Sequence, residues 1–132
     1  MIPVEQRTPN DCMRACLASI LECDYEIVPE AISGKSDRST FNQAVTDFLT
    51  AHGYSETTFG IWGDELPYLM FGGDRIEYLV SYPGHWIASV KSPRSDGWHA
   101  VVMHGHKIVW DPHPERDMGH RGFKQATMIL SL

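Results

Sequence analysis

No apolar run in this 132-residue chain approaches the ~20 residues needed to cross a bilayer. The opening stretch MIPVEQRTPND lacks the apolar core of a secretory signal, so a membrane is not expected and the chain is read as cytoplasmic. Positive charge is scarce. Eleven Lys and Arg face seventeen Asp and Glu, for a net charge of -6, and the densest basic stretch is only KSPR at residues 91–94. An acidic chain repels a phosphate backbone, which argues against nucleic acid as a partner. Internal repeats, linkers and low-complexity tracts are absent, so residues 1–132 read as one domain. Cysteine is sparse and clustered: Cys12, Cys16 and Cys23. An odd number crowded into one segment makes no disulfide framework, and cytoplasmic thiols stay reduced. Cys12 and Cys16 stand one helical turn apart, so these thiols call for a catalytic, metal-binding or packing role.

What is present divides the chain into a helical first part and a β-rich second part. The run Thr8-Pro9-Asn10-Asp11 followed by Cys16, Leu17, Ile20 and Leu21 predicts a helix over residues 11–23, capped by Asn10 or Asp11. A short turn or helix is expected around 28–32. A second helix is expected from a Ser39 or Thr40 cap, with Phe41, Val45, Phe48 and Leu49 as its apolar stripe and Gly53 closing it. Residues 54–73 resist assignment, although a short helix over 64–71 fits with Pro67 near its start. A strand is expected over 85–90 and a turn-rich loop over 92–97. A hairpin follows, folded about His104-Gly105-His106, and the last strand is expected over 125–130. Helices first and an antiparallel sheet after them define an α+β class.

Four residues carry chemistry if the fold brings them together. Cys12 falls in the first turn of the first helix, where the positive end of the helix dipole and the unpaired amides favour a thiolate. His99 opens a strand and can take the thiol proton and return it to a leaving group. Asp111 closes the neighbouring hairpin strand and can fix the imidazole. Gln6, six positions before Cys12, can join the Cys12 amide as an oxyanion donor. Cys16 and Cys23 read as core thiols. Cys12, Cys16, His99, His113 and His120 include zinc's usual ligand types, but the paired Cys-x-x-Cys spacing is missing, so no metal or other cofactor is expected.

Two segments resemble a known group of enzymes. The stretch QRTPNDCMRACLASIL is similar to the nucleophile segment of the double-glycine leader peptidases of bacteriocin exporters: a Gln, a six-residue step to a Cys in an Asp-Cys-Gly run, then an Ala-Cys-Leu helix. The stretch GWHAVVMHGHKIVWDPHP resembles their His strand and the Asp-Pro that follows it. The likeness is greater to small papain-like proteins of phages and prophages. These pair a Cys-x-x-Ala-Cys-x-Ala-Ser-Ile-Leu-Glu helix with a Ser-Pro-Arg loop, a His-Ala-Val-Val strand and an Asp-Pro-His-Pro end. Here the corresponding runs are CMRACLASILE at 12–22, SPR at 92–94, HAVV at 99–102 and DPHP at 111–114, together about a third of the chain with their flanks.

The resemblance implies a papain-like fold, with the Cys helix packed on a C-terminal antiparallel sheet carrying His and Asp. It implies Cys12 as nucleophile, His99 as base, Asp111 as orienter and Gln6 as oxyanion donor, acting on a peptide or protein. Met13 stands where the leader peptidases have Gly, which narrows the approach to the backbone or marks a different substrate. Met13, Trp98 and Arg94 are the candidate substrate-binding residues. No nucleotide-binding or membrane segment accompanies the motifs, so an exporter's processing domain is not expected. Peptidase, deamidase and acyl-transferase chemistry share these residues, and an inert papain-like binding module of phage or prophage origin is the alternative.

Overall fold

The structure, a computed structural model, describes residues 1–63, 82–118 and 122–132. Helix α1 spans Cys12–Leu21 and buries Ala15, Cys16, Leu17, Ala18 and Ser19. The hydroxyl of Ser19 donates to Ala15 O at 2.8 Å and accepts from Val4 N at 2.9 Å, which docks the N-terminal segment along the helix. The helix ends where Glu22 takes a left-handed conformation, φ 55°, and the Cys23 amide turns back to Ala18 O. A 3₁₀ turn at Tyr25–Ile27 follows, slightly ahead of the turn expected at 28–32.

Helix α2 spans Arg38–Ala51. Its cap is Asp37, not Ser39 or Thr40. Asp37 is extended, and its carboxylate accepts from Thr40 N at 2.8 Å. The N3 amide therefore takes the acid three residues before it. Gly53 supplies the positive φ, 84°, that turns the chain into the first strand.

That strand, β1 (Tyr54–Gly63), occupies the stretch whose pattern resisted assignment. The helix expected over 64–71 lies outside the described residues. The remaining strands are β2 (His85–Lys91), β3 (Trp98–His104), β4 (Lys107–Trp110) and β5 (Phe123–Ser131). They form an antiparallel sheet ordered β1-β5-β2-β3-β4. β3 and β4 meet at the expected hairpin, where Gly105 has φ 59°. The described residues are thus α+β, with two helices and a five-stranded antiparallel sheet.

Alternation along the strands sends side chains to two apolar layers. Leu17, Ile32 and Leu49 pack with Ile87, Val102 and Ile129 on the helix side. Ile61, Trp86, Val90, Val101, Met103 and Met128 pack on the other face. β3 is buried from His99 to Met103, which explains why HAVVM reads as a continuous apolar run. Leu17 is fully buried where α1 meets the sheet. Leu17→Ala is expected to cost about 2–5 kcal/mol in urea unfolding, through lost transfer energy and the cavity left behind.

Candidate active site

α1, β3 and the turn after β4 bring three of the expected side chains together. Cys12 is the first residue of α1 and is partly exposed. Its sulfur accepts from the Ala100 amide of β3 at 3.4 Å, a contact between residues 88 apart in sequence. His99, beside Ala100, hydrogen-bonds the Cys12 side chain as well. On the ring's other side, His99 Nε2 lies 2.6 Å from Asp111 Oδ1. With Nε2 turned to the carboxylate, Nδ1 is the nitrogen that faces the sulfur. His99 and Asp111 are both buried, Asp111 completely.

The electrostatics follow from that arrangement. Burial by itself pulls the His99 ring below its ordinary range. The Asp111 hydrogen bond and the adjacent Cys12 sulfur outweigh burial and raise the ring to about 9. Asp111 is itself clamped: Oδ1 accepts from His113 N and Oδ2 from Asp117 N, each at 3.0 Å. The loop supplying these amides is strapped to the N-terminal segment. Arg116 pairs with Glu5 at 2.6 Å and stacks on Trp110, while Trp110 Nε1 donates to Val4 O at 3.0 Å. The loop from Asp111 to Asp117 therefore builds a cradle for the carboxylate, a role its sequence does not announce.

Asp11, the N-cap of α1, makes no capping hydrogen bond with its side chain. Its buried carboxylate instead accepts from the Tyr25 hydroxyl. Burial first, and then the Asp11 contact, push that hydroxyl up to about 12, so it remains a donor. The Tyr25 ring lies between the guanidinium groups of Arg7 and Arg14, at 4.3 and 4.2 Å. Asp11 is thereby turned away from the first-turn amides beside Cys12.

A cleft of about 720 Å³ opens from Cys12 and His99 between the helical half and the sheet. Met13 and Trp98 line it, and Trp98 is half exposed with Lys124 Nζ 4.8 Å from its ring centre. Arg94 does not line it. Arg94 sits exposed on the loop before β3, and its charge, after burial, holds the His113 ring below its ordinary range. Gln6 is buried and does not line the cleft either. Its Nε2 donates to Thr8 O at 2.9 Å, and its Oε1 has no hydrogen-bond partner among the described residues. Its backbone amide donates to Pro112 O at 2.9 Å, which ties it to the turn after Asp111.

Asn42, Ser89, Lys124 and Gln125 also line the cleft. No local motif marks them, because strand pairing and helix packing alone bring them to Cys12. Among the described residues no group of three or more His, Cys, Asp or Glu is placed to hold a metal ion, and none of their helices is long and apolar enough to cross a membrane. Neither a family model nor a curated protein matches the chain.

Proposed function

We propose that this chain is a papain-like cysteine hydrolase acting on an amide or isopeptide carbonyl of a peptide or protein in the cytoplasm. The observation that carries this reading is the His99 ring, set between the Cys12 sulfur and the Asp111 carboxylate and held charged up to about 9. In the proposed reaction the Cys12 thiolate attacks the carbonyl carbon. Negative charge moves to the carbonyl oxygen, beside the first-turn amides that Asp11 leaves uncapped. His99 donates its proton to the departing amine as the C–N bond breaks, leaving a thioester on Cys12. Water, or a second amine in acyl transfer, then gives a proton to His99 and attacks the thioester. This releases the acyl group and returns the thiolate.

An inert binding module is the second reading, and Gln6 favours it: the amide expected to donate to the oxyanion is bonded to Thr8 O instead. An activated ester separates the two. p-Nitrophenyl acetate is expected to acetylate Cys12, seen by peptide mass mapping, and to turn over with steady release of nitrophenolate. Cys12→Ala is expected to abolish turnover, and His99→Ala to lower it about 10²- to 10⁴-fold, the usual scale of general acid–base catalysis. Wild type that neither acetylates at Cys12 nor turns over supports the inert module.

A further inference from the structure

Strand register leads a row of residues straight to the nucleophile. Ser89 on β2 pairs with Ala100 on β3, whose amide bonds the Cys12 sulfur, and on its other side Ser89 pairs with Gln125 on β5. Paired residues share a face, and all three line the cleft. At ~5 Å per strand, Ser89 lies one step and Gln125 two steps from the sulfur-binding residue. The helix-side core takes Ala100 from this row and Ile87 and Val102 from the next, and Ile87 and Thr127 also line the cleft. Within the cleft the sheet face therefore sets the hydrogen-bonding groups of Ser89, Gln125 and Thr127 beside the apolar Ile87 and Ala100.

A bulge adds a charge to this row. Between the pairs Ser89–Gln125 and Val90–Phe123 the register shifts, which leaves Lys124 as the extra residue of β5. Bulges re-aim side chains, and this one sends Lys124 into the cleft against Trp98. Arg38 lines the facing wall. The cleft's one carboxylate among the described residues is that of Glu56, which accepts a hydrogen bond from Thr46 at 2.9 Å. Among the described residues no carboxylate pairs with Lys124 or Arg38, so in an acidic chain this cleft presents positive charge together with neutral donors.

We infer that the cleft selects substrates whose side chain next to the scissile carbonyl ends in a carbonyl oxygen, the Gln and Glu class, received by Ser89, Lys124 and Gln125. This inference rests on the hydrolase reading. Apolar side chains would strand those donors without water, and basic ones would meet Lys124 and Arg38.

The test is protection of Cys12 from iodoacetamide, read by peptide mass mapping of the intact chain. The probes are blocked heptapeptides with a central Gly flanked on both sides by three Gln, three Met or three Lys, so either binding direction is sampled. The Gln peptide is expected to half-protect at a concentration about tenfold or more below the Met and Lys peptides, the scale of one charge-assisted hydrogen bond. Lys124→Met is expected to erase the advantage over Met. Equal or better protection by the Met or Lys peptide overturns the inference, as does the absence of protection by any peptide. Alkylation that does not depend on His99 overturns the hydrolase reading instead, and the peptide ranking is still read separately.

Discussion

His99→Ala is expected to slow alkylation of Cys12 by iodoacetamide about tenfold or more at pH 6–7. Iodoacetamide reacts with the thiolate, and a protonated imidazole in contact with the sulfur favours that form. His99 holds its proton up to about 9, so the cation is in place throughout this range. Losing that neighbouring cation removes an interaction that favours the reacting anion. The other thiols do not obscure the reading. Cys16 is completely buried and is raised well above the ordinary range by burial first, then by Cys12 and Asp111. Cys23 is raised by burial and then by Asp24. Site-resolved mass mapping then needs no further substitution. Equal rates in the two proteins would mean that His99 does not act on Cys12.

Asp111→Ala carries the largest expected effect on stability. It leaves the buried His99 ring without its partner and removes the acceptor for the His113 and Asp117 amides. Breaking a buried pair from one side costs about 3–5 kcal/mol. The effect should also depend on pH. His99 is raised in the folded state, so its contribution is complete below its ordinary 6.5 and disappears as pH rises through about 9. In urea unfolding the wild type should therefore lose this contribution between pH 6.5 and 9, while ionisation of Cys12 acts on stability in the opposite sense. In Asp111→Ala the profile should be flatter over that window, and Asp111→Asn, which keeps an acceptor, should lose less than Ala. A wild-type profile with the same slope as that of Asp111→Ala over this window would contradict the assigned pairing.

How much of this was legible in the sequence follows from how local each signal is. α1, α2, the His104-Gly105-His106 hairpin and the last strand are written in short-range periodicity and turn residues. Sequence does not fix the cap of α2, because Asp37, Ser39 and Thr40 are all good caps, and only the backbone at Asp37 decides among them. β1 is not legible because YSETTFGIWG alternates weakly, with Thr57 and Thr58 exposed on a strand that pairs only with β5 among the described strands. The strand order β1-β5-β2-β3-β4 places the last strand between the first two, which no local pattern encodes. The same holds for the site. Cys12, His99 and Asp111 could be singled out by residue type and position. The Ala100 amide on the sulfur, the amide cradle around Asp111 and the Lys124 bulge are products of register. Gln6 and Arg94 show the converse: the spacing of one and the loop position of the other point to the cleft, and neither lines it.

The central claim is that Cys12, His99 and Asp111 form one electrostatic unit. The most direct test is the titration of the His99 ring by NMR in wild type and in Cys12→Ala. A midpoint near 9 is expected in the wild type and a clear fall in Cys12→Ala, where the contribution of the sulfur is gone and burial is opposed by Asp111 alone. A midpoint near the ordinary 6.5 in both proteins, unmoved by the loss of the sulfur, would contradict it.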